Sequence, residues 1–412
     1  MRVEVINTGT ELLLGEVNNT HLAYLAQSLF GLGQRIARQV TVPDGIAIAE
    51  ALEVALSRSD LIIVTGGLGP TSDDITREAA AEAFGRKLVF HQEILDGIAA
   101  KFAARKLLMN ELQGSQAMVP EEGVVLENNF GTAPGLIIFN DKSVAVLLPG
   151  PPRELHPMWE NEALPWLKKH FAARMTPVQE VMLRTLGIGE AKVQLLVEKD
   201  ALALGTLEIG YCSRPGEVDL RFITADSDLL QRAADLARSR LGDFIYAENG
   251  ASMEETVIRL ALAAGKTVAT AESCTAGLVA ARLANVPGSS GVLRYGWITY
   301  ADEAKTRELR VSLELLEKHG AVSAEVAAAM AEGALRESGA DFAVSVTGIA
   351  GPGGGTEAKP VGLVYFGLAR KNGATRTEER TLSRTRDIFR QMAAQIALDL
   401  VRRALLESGT SS

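Results

Sequence analysis

Cysteine is almost missing from this chain: 412 residues carry only Cys212 and Cys274. Two thiols are too few for a disulfide framework or a thiolate metal site, and they suit a reducing cytoplasm. No stretch approaches the roughly 18 apolar residues of a membrane span, and Glu4 and Glu11 interrupt the start. Neither a signal peptide nor a transmembrane segment is expected. Positive charge is also short. A net charge of −9 argues against general binding to nucleic acid or an anionic membrane, while a local basic pocket stays open. Of five histidines (His21, His91, His156, His170 and His319), only His319 lies in the last third, so a Ser-His-Asp arrangement is not expected there. No solenoid-type repeat is visible.

What remains is a globular composition, 47% hydrophobic and 23% charged, long enough for about two to four domains. Residues 1–171 alternate short apolar runs (Arg2–Asn7, Gln34–Val42, Leu61–Val64, Val144–Leu148) with helical patterns at Asn18–Phe30, Asp44–Ser57 and Asp73–Phe84. That alternation predicts an α/β domain with a parallel sheet covered on both faces. Val89–Arg105 reads as one long helix, and Trp159–Phe171 as another. Residues 172–249 change character into a small α+β unit with strands at Val178–Thr185 and Glu217–Thr224. From Met175 to Ile245 eleven acids face eight bases, so the footprint of an RNA-binding module is missing. A spacer or dimerisation element is expected there, and with it a homodimer. Residues 250–412 form a third, α/β unit, ending in the polar Ser408–Ser412, which is expected to fray.

The chemistry-bearing residues cluster at strand ends. Ala271-Glu-Ser-Cys-Thr-Ala-Gly277 follows the apolar Thr267–Thr270, and a helix is expected to start near Ser273. Backbone N–H groups at such a junction can hold a phosphate or a developing oxyanion. A plain helix cap is the alternative reading of Ser273. Thr347–Gly355, rich in glycine, follows the strand Phe342–Val346 and forms a second side of the same site. Tyr300 and Lys305 follow another strand, at the edge where open α/β sheets bind ligands; a partly buried lysine can accept a serine proton and a tyrosine can relay it. A solvated helix face is the plain alternative for Lys305. Cys274 is a rival nucleophile unless it is packed away. Arg386 and Arg390 share a helix face and suit a phosphate, or a surface salt bridge.

Together these stretches resemble the C-terminal domain of the CinA family of competence/damage-inducible proteins, which is similar to nicotinamide mononucleotide deamidases. The resemblance implies hydrolysis of the nucleotide's carboxamide to nicotinate mononucleotide and ammonia. It makes Ser273 the nucleophile and Tyr300 and Lys305 its activators. Thr275, Thr347 and Gly348 would line the substrate, Arg386 or Arg390 would meet its phosphate, and no cofactor would be required. Where Ser-Asn-Glu is the expected run, this chain has Ala301-Asp302-Glu303; the change is expected to leave the chemistry untouched.

In the N-terminal third, Thr8–Leu13, Asn18-Asn19-Thr20 and Thr65–Asp74 converge on strand ends. Successive glycines such as Gly66, Gly67 and Gly69 let N–H groups form a concave anion site, with hydroxyls from Thr10 and Thr71 and the amide of Asn19 beside them. Asp73, Asp74 and Glu11 are candidate ligands for a divalent cation, the Asp pair being equally readable as a helix cap. With Asn129–Gly135 and Leu148–Glu154, these segments resemble the molybdenum-cofactor-biosynthesis fold (MoaB/MogA-like) at the N-terminus of CinA proteins. That resemblance implies metal-dependent cleavage of ADP-ribose to AMP and ribose 5-phosphate. Across the whole chain it implies three parts: this domain, a small KH-like α+β middle and the deamidase domain. The expected partners are small nucleotides, with no direct nucleic acid and no membrane. Two other readings stay open: a molybdopterin-binding or adenylylating N-terminal domain, and a non-enzymatic adaptor in DNA uptake or damage response.

Overall fold

Strand β1 (Val3–Thr8) is buried along its whole length, which no alternating strand could be unless both faces of its sheet were covered. In the computed structural model, which describes residues 1–409, β1 lies between β2 (Ile36–Val42) and β3 (Leu61–Thr65). Short β4 (Leu88–Phe90) and β5 (Met118–Pro120) pair with each other. The main sheet is completed by β6 (Val124–Leu126), β7 (Gly135–Phe139) and β8 (Val144–Leu148), in the order β2-β1-β3-β8-β7-β6. The first four run parallel, whereas β7 and β6 are antiparallel additions, so the sheet is mixed at one edge. One face packs Val3, Val5, Leu61 and Ile63 against α2 (His21–Phe30), α6 (Pro152–Met158) and α7 (Leu164–His170), the other packs Ile6, Ile62 and Val64 against α3 (Ala47–Leu56) and α4 (Thr76–Ala83). The remaining helices of this unit are α1 (Thr10–Leu14) and α5 (Gln92–Ala104). The long helix read over Val89–Arg105 is therefore two elements. Its first residues are a strand, and His91, extended at φ −116° with its N–H on Ala117 O (2.9 Å), stops α5 from reaching back.

The chain divides into two compact units, Met1–Gln179 and Glu180–Ser412. Residues beyond 171 stay with the first, because Gln34 Nε2 donates to Arg174 O (2.9 Å) and Arg174 Nη1 to Asp60 Oδ1 (3.0 Å). Within the second unit, β9 (Gln179–Leu186), β10 (Glu208–Arg214), β11 (Glu217–Thr224) and β12 (Ile245–Glu248) form an antiparallel sheet ordered β10-β11-β9-β12. It is backed by α8 (Glu190–Ala203) and α9 (Ser227–Leu241).

The last sheet runs β14 (Leu293–Ile298), β13 (Val268–Glu272), β15 (Phe342–Gly348), β16 (Leu363–Arg370), β17 (Arg376–Thr381). β13 is parallel to both its neighbours and the rest is antiparallel. Val268, Val344, Val346 and Phe366 face α10 (Met253–Ala264), α11 (Leu278–Ala284) and α15 (Arg386–Gly409), while Ala269, Ala271 and Ala343 face the other layer: α12 (Asp302–Leu309), α13 (Leu313–His319) and α14 (Ala324–Ser338). Ser408 is helical, and the rest of the expected frayed tail, from residue 410, lies outside the described residues. Among the described residues no helix is long and apolar enough to cross a membrane.

Candidate functional site

Parallel register brings the C-terminal residues level. Glu272 pairs with Ile298 on one side and Val346 on the other, so the turns that follow three adjacent parallel strands open at one edge. Ser273 N–H donates to Val346 O (2.9 Å) and Thr299 N–H to Glu272 O (2.8 Å), which ties those turns together. Open α/β sheets bind their ligands at such strand ends, where chain direction diverges.

The helix expected near Ser273 begins only at Leu278. Residues 273–277 form a turn instead, with Ala276 at φ 51° and Gly277 at φ 90°. Glu272 explains the delay. It is 1% exposed, and its carboxylate accepts the N–H groups of Val279 (3.1 Å) and Ala280 (2.9 Å), the first orphan donors of α11. Those donors are therefore spent on a side chain, and the anion site expected at this helix start is filled from within. Ser273 is half-buried and Cys274 is buried. Burial, with the Glu272 charge nearby, pushes the Cys274 thiol up to about 12, so it stays protonated and a poor nucleophile.

The first turns of α15 clamp the same edge. Arg386 donates from Nη1 to Gly351 O (2.9 Å) and from Nη2 to the Tyr300 hydroxyl (3.0 Å), and Arg390 Nη2 donates to Thr275 O (2.8 Å). Tyr300, Thr275, Arg386, Arg390 and the glycine loop are thereby brought together. Arg390 Nε and Thr275 Oγ1 are buried without a hydrogen-bond partner. Lys305 is not on a solvated face: it is 1% exposed, and Nζ donates to Tyr300 O (3.3 Å) and to Asp302 Oδ1 (3.1 Å). The Ala-Asp-Glu departure reaches this lysine directly, since residue 302 places a carboxylate beside Nζ. No hydrogen bond joins Ser273 Oγ to Lys305 or Tyr300 among the described residues, as is common before a substrate draws such groups together. Thr347 is placed differently from the expectation. Its hydroxyl donates to Ala321 O (2.7 Å), and the whole residue is buried and paired with Tyr365 of β16, so it does not line the opening. Gly348 is a close-approach position, where a Cβ would stand 2.8 Å from Leu363 O.

At the other end of the chain, Thr65 pairs with Asn7 and with Leu148, so the turns after β1, β3 and β8 also open level. They line a cleft of about 410 Å³ that includes Glu11, Asp44, Gly66, Gly67, Gly69 and Asp74, with Arg105, Gly131, Arg153 and Glu154 opposite them in sequence. Gly66 and Gly67 sit at φ 99° and 66°, a left-handed pair that only glycine tolerates well and that shapes a backbone anion cradle. Three expected residues turn away. Thr10 donates from its N–H (3.0 Å) and hydroxyl (3.2 Å) to Asp44 Oδ2. Asn19 Oδ1 accepts His21 N–H (3.0 Å), and Thr71 gives its N–H (3.1 Å) and hydroxyl to Asp74 Oδ2.

The three-carboxylate metal site does not assemble. Among the described residues no group of three or more His, Cys, Asp or Glu side chains could hold a metal ion; Asp73 is exposed and outside the cleft. Glu11 and Asp74 both line it, so two of the three expected carboxylates face the cleft, the number a divalent cation would use if phosphates and water completed its shell. Neither Asp73 nor Asp74 caps α4, whose N-cap is Ile75.

Several residues here escaped the sequence reading. Arg77 is buried and donates to Leu68 O (3.0 Å) and Ser115 O (2.6 Å), pinning the glycine turn. Glu272 and Asp302 were passed over inside motifs already singled out. Glu154 and Asn128 stood in or beside family-like stretches, and that proximity was the only local signal.

Comparison with known proteins gives matches along most of the chain. Residues 250–405 match the CinA C-terminal domain, and residues 4–169 match a probable molybdopterin binding domain. The chain is similar to a CinA-like protein of Akkermansia muciniphila, 47% identical over 400 residues, covering 97% of this chain and 96% of that one. It is also similar to a putative competence-damage inducible protein of Caldicellulosiruptor saccharolyticus, 45% identical over 98% of this chain and 100% of the relative. Among solved structures, the competence/damage inducible protein CihA of Agrobacterium tumefaciens is 42% identical, covering 37% of this chain and 93% of that one at a TM-score of 0.37.

Proposed function

The chain belongs to the CinA family, and from that premise we propose that it is a two-site hydrolase of pyridine nucleotides, working in the cytoplasm. In the C-terminal unit Ser273 attacks the carboxamide carbon of nicotinamide mononucleotide. The C–N bond breaks, ammonia leaves with the serine proton, and water then cleaves the acyl-serine to nicotinate mononucleotide. Lys305 takes and returns the proton, with the Tyr300 hydroxyl as relay. Arg386 and Arg390 attract the phosphate. The observation that carries this reading is the contrast between adjacent residues: Ser273 is accessible at the strand end, whereas the Cys274 thiol is buried and pushed up to about 12.

In the N-terminal unit the glycine cradle favours a diphosphate, and the proposed substrate is ADP-ribose. Mg²⁺ held by Glu11 and Asp74 would offset phosphate charge when bound; Gly66 and Gly67 hold the anion and Arg105 and Arg153 supply cationic charge on the cleft wall. The domain match to a probable molybdopterin binding domain supports a second reading, in which this cleft takes a pterin.

Product analysis tests both sites. The purified chain is expected to release ammonia from nicotinamide mononucleotide and AMP from ADP-ribose. Ser273→Ala should lose at least about a thousandfold in ammonia release while Cys274→Ala stays within a few-fold. An inactive Cys274→Ala beside an active Ser273→Ala would move the nucleophile to sulfur.

A further inference from the structure

Two stretches near the N-terminal cleft, Asn129–Gly135 and Leu148–Glu154, have given the chemistry above only Arg153, yet one buried contact joins them. Asn128 is 2% exposed and uses its whole amide. Oδ1 accepts Phe130 N–H (3.1 Å) and Gly131 N–H (2.7 Å), and Nδ2 donates to Ala133 O (2.8 Å) and Glu154 Oε2 (2.8 Å). Gly131 makes the contact possible, because a Cβ there would stand 1.8 Å from Glu154 Oε2. One carboxylate oxygen of Glu154 is thus fixed. The other accepts no hydrogen bond from the described residues; the nearest cation is Arg153 Nε, 3.9 Å from Oε1.

Glu154 is 9% exposed and lines the cleft. Oε1 is the carboxylate oxygen left to accept hydrogen bonds, and the cleft that Glu154 lines is where donors can reach it. The backbone donors that suit a phosphate are those of the glycine cradle, so this carboxylate takes a different part of the ligand. We propose that Glu154 is a binding residue for a sugar hydroxyl pair, the 2′,3′-diol of the ribose in a nucleotide whose phosphate lies in the glycine cradle. Asn128 and Gly131 are the positioning residues that hold it. The free Oε1 suits a ribose diol because one carboxylate oxygen has two lone pairs, can accept both hydroxyl hydrogens and offers none in return. This assignment rests on the nucleotide reading of the cleft and adds the sugar to it.

Calorimetric titration of the full-length chain with AMP, 2′,3′-dideoxy-AMP and inosine monophosphate tests it. AMP and inosine monophosphate should bind alike, and the dideoxy compound about tenfold or more weaker. Glu154→Gln keeps an acceptor for Asn128. It should weaken AMP by about tenfold yet leave the dideoxy compound unchanged, so that the two bind this variant equally. Gly131→Ala should do the same by displacing the carboxylate, with the Gln variant deciding if the Ala variant misfolds. If Glu154→Gln weakens both ligands equally or neither, the sugar assignment is wrong although the nucleotide reading stands. If inosine monophosphate is the one discriminated, the carboxylate reads the base amine instead. Failure of the wild-type chain to bind AMP at all overturns the nucleotide reading and the sugar assignment together.

Discussion

Glu272→Ala should open the turn that carries Ser273. The carboxylate satisfies Val279 N–H at 3.1 Å and Ala280 N–H at 2.9 Å, and it is itself 1% exposed. Truncation therefore strands one buried donor, Val279, and one half-buried donor, Ala280, that water can partly reach. Loss of a helix cap costs about 0.5–2 kcal/mol, and an unsatisfied buried donor about 1–3 kcal/mol. Together these suggest a local loss on the order of 2–4 kcal/mol. Amide hydrogen exchange reads it directly. At about 1.4 kcal/mol per tenfold, exchange at Val279 and Ala280 should quicken by about thirtyfold to a thousandfold, while β16 at the sheet interior stays protected. Glu272→Gln, with one acceptor oxygen and an amide that opposes the other N–H, should fall between the two. Ammonia release should fall about tenfold or more in the Ala variant through kcat, because Ser273 adjoins the loosened residue. Unchanged exchange at both amides would refute the capping argument, and with it the claim that this helix start is closed to substrate anions.

The remaining predictions concern the other charged groups. Arg386→Ala and Arg390→Ala should mainly raise the apparent KM for nicotinamide mononucleotide; Arg386→Ala should also lower kcat, since it releases both Tyr300 and Gly351, and unchanged kinetics in both would remove the phosphate assignment. Asp74→Ala should abolish ADP-ribose cleavage and Asp73→Ala should spare most of it, because only Asp74 lines the cleft; chelation should stop that activity and leave deamidation intact, and the opposite pattern would put the metal at the wrong site. Burial, with His156 nearby, holds the His21 imidazole below its ordinary range against the pull of the Gly150 carbonyl at 2.7 Å. The unfolded chain then binds the proton more readily than the native one, so stability rises with pH and is lost as pH falls below about 6.5. Urea unfolding of the first unit between pH 7.5 and 5 should show that loss, and His21→Asn should flatten it.

Much of the architecture was legible because it is local. The apolar run Leu61–Val64 reads as a buried central strand, and glycine turns such as Gly66-Gly67 announce positive φ. β17, Arg-Thr-Glu-Glu-Arg-Thr, carried no such signal, because a solvated edge strand needs no apolar face. β10 and β12 escaped for a similar reason: they are the edge strands of their sheet, and neither shows a long apolar face.

The sequence by itself determined which loops hold the chemically versatile residues: hydroxyls, glycines and carboxylates follow β1, β3, β13 and β15, and parallel strands place such loops at one edge. Only the tertiary structure decided which side chains in those loops are available. It gave the Thr347 hydroxyl to Ala321, Asp74 to Thr71 and the α11 donors to Glu272, and it set Asp302 against Lys305. It also joined Asn128 to Glu154, 26 residues apart. The physical reason is the range of each effect. Backbone conformation and strand identity follow from neighbouring residues, whereas the partner of a buried polar group is whichever donor or acceptor packing brings within about 3 Å.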